Sequence, residues 1–375
     1  MLRKLLYAIC AVLFMGSGTV SAVEIGVPLE PSDILPKLNQ IAGRKPMEKA
    51  QVCVYVFFDP TLPTAKTLLR MVDSVCTQST DFKKKTEFYA VSRLPGESTK
   101  SMGLNGFILP IYEDKNTSDS IYREYTLTEL VIPFAVVTEK DDVIWKGALE
   151  ELDNVLHEID KGTFSTARQE KLERMHKELQ SAIQASLPRV ISQSADKILE
   201  SFPGDMLAIQ AKLFVYETTA GTKEAAQFVA KLAKNNANNI EIKVLQLDYL
   251  VRTDHAEEFK QAIGEAFKDF SGTPASTLRL LSFVLDQAPF SWVPLKETLE
   301  ASQAMKVQYA GKGGISEAVS LQFSAKANYL AANVAAAVAD QKKATELSAG
   351  TEYEAAAKQD LSYYESVLAL TEKKP

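Results

Sequence analysis

The side chains with chemistry of their own are few in these 375 residues: three cysteines, three histidines and several adjacent carboxylates. Cys10 lies in an apolar N-terminal run, which leaves Cys53 and Cys76. Two thiols can exchange with a disulfide or can pair as a structural one. Cys53 opens the run CVYVFF, and Cys76 lies near the end of the helical pattern that follows. About 6 strand residues at ~3.3 Å carry the chain out by ~20 Å, and about 13 helical residues at ~1.5 Å bring it back as far. The two cysteines are therefore expected near each other, either as a disulfide or as two inert buried thiols, since Cys is among the most buried residue types. His157, His176 and His255 are isolated, each in or beside a polar helical pattern, with no second ligand at metal-binding spacing. The pairs Asp141-Asp142, Glu150-Glu151 and Glu257-Glu258 read as solvated turn and helix residues, and no Gly-x-Ser-x-Gly elbow occurs. Gly311 to Gly314, in AGKGG, follows no strand and lacks the Gly-Lys-Ser/Thr order of a phosphate loop, so it reads as a link between helices. Trp145 and Trp292 read as packing residues. No catalytic residue, metal or cofactor is expected.

The elements that position these residues begin after an export signal. Arg3 and Lys4 precede an apolar run from Leu5 to Met15, and small residues end in Val20-Ser21-Ala22. This is the pattern of a secretory signal peptide over residues 1–22, cleaved after Ala22. The apolar run is about half of the roughly 20 residues a membrane span requires, and no later segment is apolar enough. No span is therefore expected after cleavage. Export to an oxidising compartment follows, the periplasm of a bacterium first and secretion second. The chain carries 42 basic and 48 acidic residues, a net charge of -6, and losing Arg3 and Lys4 takes it to -8. An acidic chain with no basic cluster beyond Lys83 to Lys85 offers no footprint for nucleic acid or anionic lipid.

Residues 51 to 58, QVCVYVFF, form a β-branched and aromatic run without alternation, as expected of a central strand covered on both faces. Pro63 suits a first helical turn, and Leu68, Leu69, Val72 and Val75 repeat at helical spacing. A strand at Glu87 to Ser92, a turn at Pro95-Gly96, an apolar run from Phe107 to Tyr112 and a short helix at Ser120 to Tyr125 follow. Val131 to Val137, a turn at Asp141-Asp142, the strand Val143 to Gly147 and a helix from about Glu150 to Asp160 complete the series. The fold class is α/β, a central mixed sheet flanked by helices.

That order of elements, from about 48 to 163, resembles the TlpA-like redoxins of the thioredoxin superfamily. The turn FFDPTLPTAK has the place and length of the family's FWATWCGPCR, FYAVSR has the place of its second strand, and Ile132-Pro133 precedes a strand and an acidic hairpin as the family's cis-proline does. Placing Phe57 on the first aromatic puts Leu62 and Ala65 where the two redox cysteines belong and Lys66 where the family carries Arg or Lys. Leu and Ala cannot supply the activated thiolate or the resolving thiol that exchange requires. Cys53, within a central strand, and Cys76, at the far end of the helix from its activating N-terminus, do not replace them. The resemblance implies a retained peptide-binding groove around Leu62, Pro63, Ile132 and Pro133, with Pro133 a candidate cis-proline. The alternative is that the proline serves the fold alone.

From about Ser165 strands vanish and helical patterns follow one another. The expected domains are 23–163, with its core at 48–163, and an all-α domain at 164–375, opened by a long helix from Thr166 to Ser186. Residues 211 to 235 match 245 to 269 at an offset of 34: Leu213 answers to Leu247, Val229 to Ile263 and Ala233 to Phe267, and Leu281 and Val284 repeat Leu247 and Leu250. Paired helices at this period resemble tetratricopeptide (TPR) repeats, without their Trp-Leu-Gly consensus. The Ala-rich stretches Ser316 to Ala344 and Thr351 to Lys373 are expected to close the domain as a long hairpin.

The functional expectation is a non-enzymatic, chaperone-like binding protein whose redox-inactive thioredoxin-like domain and TPR-like array hold another exported or envelope protein or peptide. By domain order it is similar to thioredoxin-TPR holdase chaperones. Two alternatives stand beside it: a thiol-disulfide oxidoreductase or redox sensor using Cys53 and Cys76, and a structural subunit of an envelope assembly. Oligomeric state has no sequence signal.

Overall fold

The computed structural model describes residues 23–47, 49–62, 65–94, 102–104, 106–115, 134–311, 314–351 and 353–372. Its contacts divide the chain into two compact units, Met1–Leu187 and Pro188–Pro375. The first is built on a six-stranded mixed sheet, the second on helices.

The strands are β1 (Leu38–Ala42), β2 (Val52–Phe58), β3 (Thr86–Ser92), β4 (Ile111–Asp114), β5 (Phe134–Glu139) and β6 (Asp142–Ala148). They lie in the order β1-β4-β3-β2-β5-β6. Strand β2 pairs parallel with β3 and antiparallel with β5. All seven of its residues are buried, as a run without polar alternation predicts. Successive side chains of a strand point to opposite faces, so β2 serves two cores. Val52, Val54, Val56 and Phe58 pack with Leu69 and Val72 of α1 (Ala65–Gln78) and with Leu152 and Leu156 of α2 (Leu149–Lys161). Cys53, Tyr55 and Phe57 pack on the other face with Leu29, Ile34, Tyr89, Val136 and Val143.

The two edges of the sheet are finished differently. At the start of β6, residues 26–29 add a short bridge: the Gly26 amide donates to Val143 O at 2.8 Å, the Val143 amide to Val27 O at 3.0 Å and the Leu29 amide to Asp141 O at 2.7 Å. At the opposite edge, β1 pairs with β4 and its register slips between Gln40 and Ala42. The Gln40 side-chain amide donates to the carbonyls of Ala42 and Arg44, at 3.2 and 2.6 Å. Gly43 then turns the chain at φ +84°, where an added Cβ would lie 2.0 Å from Leu109 O. Only glycine fits that approach.

Two expectations differ from the structure here. The apolar run from Phe107 to Tyr112 pairs only from Ile111 onward, and β1 had no clear sequence signal. The helix α3 (Thr166–Gln184), assigned from sequence to the second domain, groups by its contacts with the first unit, Met1–Leu187. Charge ties it there: Lys146 of β6 pairs with Glu173 at 2.7 Å, and Lys177 with Glu24 at 3.3 Å. The turn at Pro95-Gly96 and the helix expected at Ser120 to Tyr125 lie outside the described residues.

The second unit runs through α4 (Pro188–Ser201), α5 (Met206–Thr219), α6 (Thr222–Asn235), α7 (Ile240–Arg252), α8 (Ala256–Asp269), α9 (Pro274–Asp286), α10 (Leu295–Tyr309), α11 (Gly314–Leu330), α12 (Val334–Leu347) and α13 (Glu354–Glu372). The starts of α5, α7 and α9 are 34 residues apart, as are those of α4, α6 and α8. Their caps keep the same period. The Asp205 carboxylate accepts from the Ala208 amide, Asn239 accepts from the Glu241 and Ile242 amides, and Thr273 precedes Pro274 at the first helical position. The matched positions Leu213, Leu247 and Leu281, Val229 and Ile263, and Ala233 and Phe267 are all buried. The stretch from Ser316 to Ala344 is two helices rather than one arm of a hairpin. Ala332 breaks it at φ +61°, and the Asn333 amide returns to Asn328 O at 2.8 Å. Lys306 of α10, Ser324 of α11 and Asp340 of α12 join at 2.5 and 2.6 Å, a polar clasp between three helices that are otherwise Ala-rich or Ser-rich at their contacts.

Candidate functional site

The turn after β2 is the place where the redoxin resemblance puts chemistry. Asp59 fixes its geometry: one carboxylate oxygen accepts from the Thr61 amide at 2.9 Å and from its hydroxyl at 2.6 Å, and Arg93 stands 3.7 Å from the other. The Leu62 amide then donates to Asp59 O, and the Ala65 amide to Leu62 O, which carries the chain into α1. Leu62 is 38% exposed on this turn, while Ala65 is buried in the core beneath α1. Neither side chain has an acidic proton or a lone pair for catalysis. Of the other candidate groove residues, Pro63, Ile132 and Pro133 lie outside the described residues.

Cys53 and Cys76 are both free and buried, so the candidate disulfide is not formed. Strand alternation is the reason. Cys53 shares its face of β2 with Tyr55 and Phe57, while Cys76, on α1, belongs to the core on the other face. Lengths along strand and helix brought the cysteines to one end of the sheet but did not count the side from which each projects. Burial pushes the Cys53 thiol up to about 11, with the Asp141 charge adding to it. Burial likewise takes Cys76 to about 11 despite the nearby Arg44 guanidinium. Both thiols are thus protonated at neutral pH, the opposite of the activated state that exchange needs.

One strongly polar group in the sheet unit had been read only as part of a strand. Glu87 of β3 is 0% exposed, and its two oxygens take a bidentate pair from Arg44 at 2.7 and 2.8 Å. Its own neighbour, the Phe88 amide, donates at 2.8 Å, and the Met47 amide also donates to it. Every lone-pair direction is used by the protein, so this is a holding device for the segment from Gly43 to Met47 and not a ligand site. A glutamate opening a wholly apolar strand was the available signal.

In the helical unit the polar side chains outside the core connect successive members of the α5, α7, α9, α11 series. Glu217 of α5 takes Arg252 of α7 at 2.6 Å and a hydrogen bond from the Tyr249 hydroxyl, and the Arg252 guanidinium lies 4.4 Å from the Tyr249 ring centre. Glu241 of α7 pairs with Arg279 of α9 at 3.4 Å, and Asp286 of α9 with Lys326 of α11 at 2.5 Å. The series ends on Tyr329 and the half-exposed Tyr363, whose hydroxyls meet at 2.7 Å. Burial raises the pKa of the Asp248 carboxyl even with Arg252 alongside. None of these pairs was anticipated, because the apolar match at 34 residues says nothing of the charges between repeats.

The remaining sequence candidates fall into place as packing or solvated groups. Trp145 is buried in the sheet core, and Trp292 packs 5.9 Å from the Phe259 ring. Of the AGKGG segment, Ala310 and Gly311 follow the end of α10 and Gly314 opens α11, while Lys312 and Gly313 lie outside the described residues. His157 is held by Asp153 within its own helix, and Phe82 meets its ring edge-on at 5.2 Å. Among the described residues no group of three or more His, Cys, Asp or Glu is placed to hold a metal, and no helix is long and apolar enough to cross a membrane. No protein-family model matches the sequence, and no curated protein is detectably similar to it.

Proposed function

We propose that the protein is an exported, non-catalytic binding protein, in which a redox-inactive thioredoxin-like domain is followed by a TPR-like helical array that holds another exported or envelope protein or peptide. The observation that carries the reading is the state of the thiols. Leu62 and Ala65 occupy the turn where the redox pair would stand, and the two cysteines outside the leader are buried on opposite faces of the sheet with their pKa values pushed up to about 11. The order strand, helix, strand, then an antiparallel pair and a closing helix supports the thioredoxin-like part, and the 34-residue recurrence of helix starts and caps supports the TPR-like part. Successive first helices of such arrays form an extended surface suited to a peptide or a partner helix. Here that role falls to α5, α7 and α9, with the ionic rungs Glu217–Arg252 and Glu241–Arg279 along them.

Two assays test the halves of the reading. The protein is expected not to reduce insulin disulfides, and its native thiols are expected to react with Ellman's reagent at pH 8 far more slowly than after unfolding. Insulin reduction that Cys53→Ser abolishes would return the redox reading to first place. Affinity capture of the mature protein from its own envelope, followed by mass spectrometry, is expected to yield a set of unfolded clients. A single stoichiometric partner would instead indicate an assembly subunit.

A further inference from the structure

The polar series of the helical unit ends on three tyrosines. Tyr329 of α11 meets both Tyr363 and Tyr364 of α13: its ring centre lies 5.5 Å from the first, edge-on, and 5.0 Å from the second. The Tyr329 and Tyr363 hydroxyls share a hydrogen bond of 2.7 Å across 34 residues of chain. Tyr364 is 6% exposed and packs with Ala325 and Ala337, whereas Tyr363 is 52% exposed. The helix that carries them is lightly held. Of the described side chains of α13, only those of Ala357 and Tyr364 are buried. No disulfide ties any described residue, since Cys53 and Cys76 are both free.

We propose that Tyr329 and Tyr363 are a site of oxidative modification, at which a carbon–carbon bond between the two rings staples α13 to α11. The co-reactants are hydrogen peroxide and a haem peroxidase, which withdraws electrons one at a time from accessible phenols. Each phenol gives up one electron and its hydroxyl proton. The two radicals join at ring carbons ortho to the oxygens; each joined carbon then releases its hydrogen as a proton, and each oxygen takes a proton back. Two hydrogens leave the protein in all, and the peroxide becomes two waters. The ortho carbon is two bonds from its oxygen, so hydroxyls in hydrogen-bond contact bring one such carbon of each ring close, and the broad χ2 torsion of tyrosine supplies the remaining turn. Exposure of Tyr363 admits the oxidant, while burial shields Tyr364. The new bond closes a loop in the unfolded chain, as a disulfide does, at the end of an array where local opening starts most easily.

The test treats the purified, folded protein with a haem peroxidase and limiting hydrogen peroxide. The intact monomer is expected to lose the mass of two hydrogens, to an extent independent of protein concentration, and trypsin is expected to release one new species that joins residues 327–342 to residues 359–373. Tyr329→Phe and Tyr363→Phe, which keep the rings and remove the phenols, are each expected to abolish that species, and Tyr364→Phe to retain it. The wild type in urea is expected to lose it too, because the fold no longer holds the pair together. Hydrogen exchange across α13 is expected to slow about tenfold or more in the cross-linked chain. No cross-link in the folded wild type, a species that persists in Tyr363→Phe, or coupling only between separate molecules would overturn the site. Unchanged exchange across α13 would overturn the staple.

Discussion

The sheet unit and the helical unit are held together by contacts of different reach. Val52 of β2 stands opposite Thr86 on one side and Glu139 on the other, so its two partners come from chain segments far away in sequence. In the helical unit a core side chain meets its neighbours within about one repeat, as Phe259 meets Phe283 and Trp292. Non-local pairing makes a structure cooperative, because no strand is stable before its neighbours arrive. Local stacking makes stability a sum over repeats and interfaces, which can be lost in parts.

The sharpest way to break this comparison is to cut equal cavities in both cores. Phe88→Ala in β3 and Phe259→Ala in α8 each remove a fully buried ring, and each is expected to cost roughly 3–5 kcal/mol. Hydrogen exchange followed by mass spectrometry should then separate them. Protection is expected to fall together across all strands for Phe88→Ala and to fall mainly in α7 to α10 for Phe259→Ala. Uniform loss throughout the helical unit would show that it behaves as one block.

Charge gives a second contrast, of smaller size. Glu87→Ala strands a guanidinium that is 31% exposed together with the Met47 and Phe88 amides, and a loss of about 3 kcal/mol is expected in denaturant melts. Glu241→Ala removes an ion pair with nearly half of each side chain in water, and its cost should be roughly 0.5 kcal/mol or less. If the two losses were equal, burial would not be what distinguishes the pairs.

Between these lies the repeat's own punctuation. Asn239→Ala removes the acceptor for two amides at the start of α7, and a cost of about 1 kcal/mol is expected from equilibrium unfolding. The smallest effect concerns Asp248, whose carboxyl is raised by burial from the ordinary 3.8. A carboxyl raised in the folded state favours folding while protonated, and that contribution is lost as pH rises through the raised value. Asp248→Asn is therefore expected to raise the Tm slightly at pH 7, with the difference closing below about pH 3.8.

The same difference in reach governs what could be read before the structure. Period-34 matching found the helix pairs and their buried positions because each repeat carries its own instructions, caps included. The strands were legible as the runs at 51–58, 87–92, 131–137 and 143–147, but the far edge was not: β1 is five residues long with a register slip, and only its pairing with β4 makes it a strand. Of the two outcomes open for the cysteines, the disulfide gives way to two buried thiols for a related reason. Distance along the chain placed Cys53 and Cys76 at one end of the sheet, whereas the face of each is decided by packing on both sides. At the turn after β2, the absence of a thiol at Leu62 and Ala65 was plain from residue type alone. The claim of Glu87 on Arg44, 43 positions away, was not. The attachment of α3 to the sheet unit was hidden for the same reason, since its salt bridges to Lys146 and Glu24 connect residues that share no pattern.

The finishing of the two sheet edges has a consequence for the molecule in a crowd. An open strand edge is a template on which a second chain can lay down its own backbone, and sheets left open in this way seed aggregates. Here residues 26–29 pair with the beginning of β6, while the β1 edge is short, bulged and turned in on itself by Gln40. Two copies meeting at these positions find only short, interrupted rows of donors and acceptors rather than a long open ladder.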